Sequence, residues 1–377
     1  MSGIYIHIPY CKQACHYCNF HFSTSLKNKD AVVEAMLKEI CVKSNFINES
    51  IETIYFGGGT PSFLEIDEIN RLIEMVYKNF KVSSNLEITL EANPDDLTKI
   101  KLKKLSETHI NRLSIGIQSF VDNDLKIMNR AHNSEESKKC IENSKNYYEN
   151  ISIDLMYGIP ESNLDSWEYN LDLAILYNTN HISAYALTLE PKTTLEKFIQ
   201  NGVLKSLDEE IIFKQYQLML KKLASVNYIN YELSSFAKDG FFSKNNTGYW
   251  LGKKYIGIGP SAHSFDGFSR SWNVSNNNLY IKAIENNNMY YESENLSKND
   301  KYNEYVMIGL RTMWGVSTDY LNDNFGINYK NHFIEKCKKF IDSKHLKIEN
   351  SSIITTDTGR FLSDGISSEL FIVNLKN

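Results

Sequence analysis

GIYIHIPYCKQACHYCNF, residues 3–20, runs a strand-like segment, Gly3 to Ile8, directly into Cys11, Cys15 and Cys18. The cysteines therefore fall on a loop at a strand's C-terminal end. Their C-x-x-x-C-x-x-C spacing lets three thiolates hold three irons of a 4Fe-4S cubane and leaves the fourth iron without a protein ligand. An open coordination position is where a metal centre does chemistry, whereas a filled one is usually structural. A zinc site completed by His16 or His21 is the alternative. Zinc knuckles, however, pair a C-x-x-C with a second pair far along the chain, and Cys41, Cys140 and Cys337 stand singly. A disulfide framework would need an export signal and a small, loop-rich chain.

With 377 residues, 42% of them hydrophobic, the chain can form two domains or one large barrel with an appendage. The net charge of −5 argues against a general nucleic-acid binder. No apolar run is long enough to span a bilayer, and the N-terminus lacks the pattern of a signal peptide. A cytoplasmic protein is expected, with its thiols reduced and available to iron.

Strand-like and helical runs alternate up to about residue 235. Strands are expected at 4–8, 53–56, 86–90, 112–117, 151–156 and 181–187. Helices are expected at 30–46, 65–80, 96–106, 122–129, 134–148 and 164–177. This rhythm implies a parallel sheet with helical crossovers, and about six units suit an open, partial (β/α)6 barrel. Chemistry in such folds gathers at the C-terminal ends of the strands. Residues 236–276 read as a connecting loop region. Residues 277–377 read as mainly helical, notably at 302–313 and 331–343, and end in strand-like pieces at 352–355 and 369–373. Helices followed by a small hairpin suggest a winged-helix-like domain.

Each distinctive motif follows an expected strand. Gly57-Gly58-Gly59-Thr60-Pro61-Ser62 is neither a dinucleotide fingerprint nor a P-loop, and alone it reads equally well as a tight turn. Beside an open-iron cluster, its backbone can approach an amino-acid-like ligand. S-adenosylmethionine (SAM) fits. Its amine and carboxylate can chelate the free iron, and one electron from the cluster would cleave its sulfonium S–C bond. Its cationic groups call for a carboxylate and its ribose for polar partners. Glu91, Gln118, Arg130 and Asp154 supply such groups on successive strand ends. Any one of them alone reads as well as a surface salt bridge.

These motifs resemble the radical SAM signature of the HemN/HemW group: IYIHIPYCKQACHYCNF, IYFGGGTPS, LEANPDDL, NRLSIGIQSF, DLMYGIP and HISAYALTLEP. YELSSFAK and YWLGKKYIGIGPSAHSF are similar to the HemW branch in particular. The resemblance implies a radical SAM barrel, with Cys11, Cys15 and Cys18 ligating the cluster. It also implies SAM among Tyr5, Tyr17, Gly58, Gly59, Thr60, Glu91, Gln118, Arg130, Asp154 and Ala186. Tyr5 and Tyr17 read equally as ordinary barrel-mouth aromatics, and MNRAH around Arg130 departs from the group's leucine-glycine-arginine run.

Two further departures bear on function. The coproporphyrinogen III dehydrogenase branch carries another cysteine two positions after the last cluster cysteine, where this chain has Phe20. That branch also has an N-terminal arm, and only ten residues precede Cys11 here. The HemW branch shows a His-Asn-x-x-Tyr-Trp motif whose histidine is a candidate haem ligand, and this chain has Asn245-Asn246-Thr247-Gly248-Tyr249-Trp250. An amide is a poor axial ligand for haem iron. His263 and Tyr249 are possible substitutes, and His263 also reads as a structural, hydrogen-bonding histidine.

The resemblance thus implies haem binding and delivery to an unknown acceptor protein, with a transiently membrane-associated acceptor among those expected, and with the C-terminal domain covering the barrel mouth. Two rivals stand beside it. One is an oxygen-independent coproporphyrinogen III oxidase. The other is a nucleic-acid-binding regulator using Lys336, Lys338, Lys339, Lys344 and Lys347, which read more simply as a solvated helix face.

Overall fold

The computed structural model describes residues 2–206 and 208–373. Six strands form the parallel heart of the sheet: β1 (Ser2–Ile8), β2 (Ile51–Gly58), β3 (Val82–Ala92), β4 (Arg112–Gln118), β5 (Asn150–Tyr157) and β6 (His181–Ala186). The crossovers are α1 (Lys29–Val42), α2 (Ile66–Asn79), α3 (Lys99–Ser106), α4 (Asp122–Ile127), α5 (Ser134–Ser144) and α6 (Leu164–Tyr177). After β6 come α7 (Thr194–Gln200) and α8 (Glu209–Ser225), then β7 (Ile229–Asn230) and β8 (Ser235–Ala237); β8 pairs antiparallel with β6, and β7 pairs antiparallel with β8 at the sheet's edge. The partial barrel expected from the sequence is present.

The alternation that builds it is visible in β1. Ile4, Ile6 and Ile8 are buried towards the helical layer, while Gly3, Tyr5 and His7 occupy the opposite, concave side. The helices meet the sheet with apolar stripes. In α2 these residues are Ile69, Leu72, Ile73 and Val76, and a capping box between Glu65 and Glu68 starts the helix.

Residues 236–276 are not a connecting loop. They contain α9 (Lys244–Trp250), β9 (Lys254–Ile258), β10 (His263–Phe265) and β11 (Ser269–Asn273). β9 pairs parallel with β1, so it extends the barrel on the side opposite β2. β10 and β11 then run as a meander that continues into β12 (Tyr291–Asn295) after α10 (Asn277–Glu285). Residues 277–295 therefore belong to the large sheet and its helical cover. Glu39 of α1 ties this extension down. It accepts from Gly259 N at 2.7 Å, from Asn273 Nδ2 at 2.7 Å and from Tyr280 OH at 2.5 Å, and it pairs with Lys43 at 2.8 Å.

The C-terminal unit has its own core around Tyr302, Val306, Leu310, Phe333 and Ile353. It comprises α11 (Lys298–Leu310), β13 (Val316–Ser317), α12 (Thr318–Phe325), α13 (Ile327–Asp342), β14 (Leu346–Glu349), β15 (Ser352–Thr355), α14 (Asp357–Phe361) and α15 (Ser363–Leu370). Three helices and the β14–β15 hairpin keep the winged-helix-like order. The hairpin's other strand is Leu346–Glu349, and of the segment expected as a strand at 369–373, Glu369 and Leu370 end α15, whose apolar side fills this core, while 371–373 have no regular structure.

The C-terminal unit does not cover the mouth. It touches one end of the large sheet through Met313 N to Tyr231 O at 3.0 Å and through Arg360 to Asn230. It touches the other through Glu304 to Arg270 at 3.0 Å. It therefore bridges the open side of the partial barrel.

Candidate functional site

The C-terminal ends of β1–β6 surround a cavity of about 700 Å³. Cys11, Cys15 and Cys18 line one wall, and all three are free thiols. The cysteine loop is moored to the turn after α4. Gln13 Nε2 donates to Asn129 O at 2.8 Å, Asn129 Nδ2 donates to Ala14 O at 2.8 Å, and His16 N donates to Met128 O at 3.1 Å. Arg130 completes the anchor. Its Nη1 reaches Cys15 Sγ at 3.3 Å, and its Nη2 reaches Asn93 Oδ1 at 2.6 Å and Gly116 O at 2.9 Å.

These thiols fit a cluster better than a single ion. Among the described residues, no three His, Cys, Asp or Glu side chains converge as one metal ion would require. In a cubane each thiolate meets a different iron, so such convergence is not needed. Both histidines considered for zinc are engaged elsewhere: His16 Nδ1 with Ile127 O at 2.9 Å, and His21 Nε2 with Asn277 Oδ1 at 2.9 Å. Burial pushes the Cys11 thiol up to about 11 and raises Cys18 as well. Their protons therefore leave readily only in exchange for a cation, as iron would supply.

The glycine loop forms the adjoining wall. Gly58 has φ +107°, and a Cβ there would lie 2.6 Å from the His7 ring. At Gly59 a Cβ would lie 2.6 Å from Tyr10 O, because the loop backbone is pinned there by Gly59 N to Ile8 O (2.8 Å) and Thr60 N to Tyr10 O (2.7 Å). Only glycine allows this approach.

Two carboxyls face the cavity, Glu91 from β3 and Asp154 from β5, on either side of β4. Glu91 accepts from Tyr55 OH at 2.7 Å and from Gly58 N at 3.2 Å, and burial raises it to about 7. Asp154 is raised to about 6 by burial, with Ser114 Oγ at 3.4 Å. Buried carboxyls poised this way favour a cationic ligand, whose charge would hold them ionised. Gln118 sits at φ +66°, an uncommon conformation for a side-chain-bearing residue, and lines the same wall.

The cavity thus gathers Tyr17, Gly58, Gly59, Thr60, Glu91, Gln118, Arg130, Asp154 and Ala186 with the three cysteines. Tyr5 is not among its lining residues. It lies beneath, stacked on Tyr55 at 6.1 Å, with its hydroxyl 3.3 Å from His7 Nδ1. Asn93 and Tyr185, strand-end residues of the LEANPDDL and HISAYALTLEP motifs, also line the cavity, as do Ser114, Gly116 and Met156, which were not singled out in the sequence. An inward alternation along β4 (112, 114, 116, 118) was the available signal for Ser114 and Gly116.

Asn245 lies far from this mouth. It is 5% exposed, next to Thr53 Oγ1 (3.1 Å) near the start of β2, and its backbone N donates to Glu87 at 3.2 Å. The adjoining void is about 20 Å³, too small for a porphyrin. Tyr249, on the same helix, is half-buried, its ring packed edge-on against Tyr255 at 4.7 Å. Neither residue is placed to ligate haem.

The fold and the cysteine cavity define a radical SAM protein. The Radical SAM superfamily model matches residues 5–174, and the HemN C-terminal domain model matches residues 296–362. Such proteins carry a 4Fe-4S cluster and bind SAM. Over 97% of its length the chain is 33% identical to the heme chaperone HemW of Bacillus subtilis (strain 168), covering 98% of that protein. It is 30% identical to the HemW of Lactococcus lactis subsp. lactis, over 98% of this chain and 97% of that one. The chain belongs to the HemW family. Its fold is similar to coproporphyrinogen III oxidase (HemN) from Escherichia coli, with TM-score 0.84 and 20% identity over 98% of this chain and 90% of that one. Among the described residues no helix is long and apolar enough to cross a membrane.

Proposed function

We propose that this chain binds haem and passes it to an acceptor protein, working in the cytoplasm on a radical SAM scaffold. The observation that carries this reading is its end-to-end likeness to heme chaperones. In the same reading Cys11, Cys15 and Cys18 hold a 4Fe-4S cluster and the facing cavity holds SAM. When bound, the cluster supplies one electron to a sulfonium ligand. The chain's own residues do the rest. Glu91 and Asp154 meet the ligand's positive charge. Arg130 fixes the cysteine loop, and Gly58 and Gly59 admit close backbone contact. The acceptor, which could sit at a membrane, is recognised by surfaces outside this cavity.

Phe20 favours this reading over coproporphyrinogen III decarboxylation. It stands at the cavity rim, 69% exposed, and its side chain has neither proton nor lone pair to offer. The test is anaerobic incubation of reconstituted protein with coproporphyrinogen III, SAM and reductant, beside a haem titration. Saturable haem binding without decarboxylation is expected. Decarboxylation without saturable haem binding would replace this reading with the enzyme.

A further inference from the structure

Arg112 opens β4 and is 1% exposed. Strand alternation puts 112, 114, 116 and 118 on one side, and Ser114, Gly116 and Gln118 line the cluster cavity. Arg112 therefore points into the barrel beneath the cavity floor. A guanidinium cannot shed its charge there, and a charge taken out of water is expensive unless an anion answers it. Its Nε is buried without a hydrogen-bond partner, and among the described residues no carboxylate lies within ion-pairing distance of it. Its neighbours in register are the uncharged Thr89 of β3 and Asn150 of β5.

Further along the two strands that flank Arg112 stand Glu91 and Asp154. The Arg112 charge reaches both carboxyls and favours the ionised form of each. It opposes burial first and then, at Glu91, the Asp154 charge. The other groups around the pair are neutral or engaged. Tyr5 of β1, Tyr55 of β2, Tyr185 of β6 and Tyr249 of α9 have phenols that burial raises, so they stay protonated. His181 of β6, between Ser152 and Tyr231 at 2.8 Å each, is kept neutral by burial and then by Arg112 itself. Burial pushes His7 of β1 down to about 4. Arg130 acts on Asp154, but its guanidinium is engaged with Cys15, Asn93 and Gly116. Arg112 is thus the cation beneath the floor that acts on both carboxyls.

We propose that Arg112 is a positioning residue for the cationic ligand of the cavity: a fixed positive charge under the floor that keeps Glu91 and Asp154 ionised before the ligand arrives. The role rests on the SAM-binding reading above and adds what readies its carboxyls. Two neighbouring acids withdrawn from water otherwise retain protons that a cationic ligand must displace. Arg112 is not among the cavity's lining residues, so it readies the carboxyls without occupying the ligand's space.

The test is calorimetric titration of SAM into reconstituted wild type, Arg112→Gln and Arg112→Lys across the pH range in which the two carboxyls titrate. Wild-type affinity is expected to rise with pH as they ionise. In Arg112→Gln that rise should move up by about one pH unit, weakening SAM roughly tenfold on the slope and leaving the alkaline plateau no lower than wild type. Arg112→Lys keeps the charge without the planar fork and should keep the wild-type midpoint. A flat wild-type profile, an Arg112→Gln midpoint equal to wild type, or an affinity lowered equally at every pH would overturn the role while leaving SAM binding intact. So would a displaced midpoint in Arg112→Lys, which decides the matter even where Arg112→Gln loses its fold. Absence of SAM binding by wild type would overturn the SAM-binding reading, and the role with it. Retention of the cluster absorbance in each variant verifies the fold.

Discussion

Arg130 donates from Nη1 to the Sγ of Cys15, 3.3 Å away, and so ties the cysteine loop to the strand-end wall that faces it. Its other amino group holds Asn93 and Gly116, so one half-buried guanidinium joins three segments of the cavity. A planar fork does this where a point cation cannot.

Arg130→Met should therefore weaken SAM binding by roughly ten- to a hundredfold, as expected for losing charge-assisted hydrogen bonds of about 1.5–3 kcal/mol. Arg130→Lys should recover little of that. Calorimetric titration of SAM into reconstituted protein reads the effect, and unchanged affinity in the methionine variant would remove Arg130 from the anchor.

Cys11→Ser, Cys15→Ser and Cys18→Ser should each abolish the broad absorbance near ~400 nm typical of thiolate-bound clusters. Iron per chain after anaerobic reconstitution is the measurement. A variant that keeps both the band and the iron would remove that cysteine from the ligand set.

Glu91 and Asp154 set a pH dependence. Folding raises Glu91 from 4.5 to about 7 and Asp154 from 3.8 to about 6. The ligand-free native state therefore holds protons that the unfolded chain has released, so these groups cost stability as pH rises across those windows. A cationic ligand prefers the ionised carboxyls, so SAM affinity should climb as pH rises through 6 to 7. Glu91→Gln should lower affinity on the order of tenfold at pH 8 and flatten the upper part of that rise. An unaltered pH profile in this variant would place the titration elsewhere.

Much of this architecture could be read from the chain because it is written in local patterns. The runs containing Ile4–Ile8 and Ile151–Tyr157 are apolar enough to mark buried strands, and each motif follows one of them. Strand β9 escaped because its five residues, Lys254–Ile258, owe their conformation to pairing with β1, some 250 residues distant. Its glycines and flanking aromatics look like loop punctuation until that partner is known. The 369–373 segment erred in the opposite sense: its apolar residues serve a small helical core that the local pattern cannot reveal. Tyr5, set beside SAM by resemblance alone, lies a layer beneath the cavity wall, stacked on Tyr55, and a resemblance carries no height in the barrel. Asn245 could be identified as a departure, but its position near the barrel floor could not.

That position makes Asn245→His informative. An imidazole there would have to fit beside Thr53 in a void of about 20 Å³. The substitution should destabilise the fold by about 1–3 kcal/mol through overpacking and leave haem affinity unchanged. Thermal unfolding and a haem titration check the two halves, and a gain of haem binding would contradict the placement.

Glu39→Leu should cost about 3–5 kcal/mol, because it strands Lys43 as a buried unpaired charge and releases Gly259, Asn273 and Tyr280. Denaturant unfolding measures it. A loss below about 1 kcal/mol, typical of an exposed pair, would mean the network does not hold the β9–β12 extension.

The most direct test of haem carriage is transfer. Protein loaded with one equivalent of haem is mixed with an excess of apomyoglobin, and the Soret band is followed. The account predicts saturable one-to-one loading, then complete movement of haem to the acceptor. A wild-type protein that never saturates, or that binds haem and yields none of it, would contradict the account.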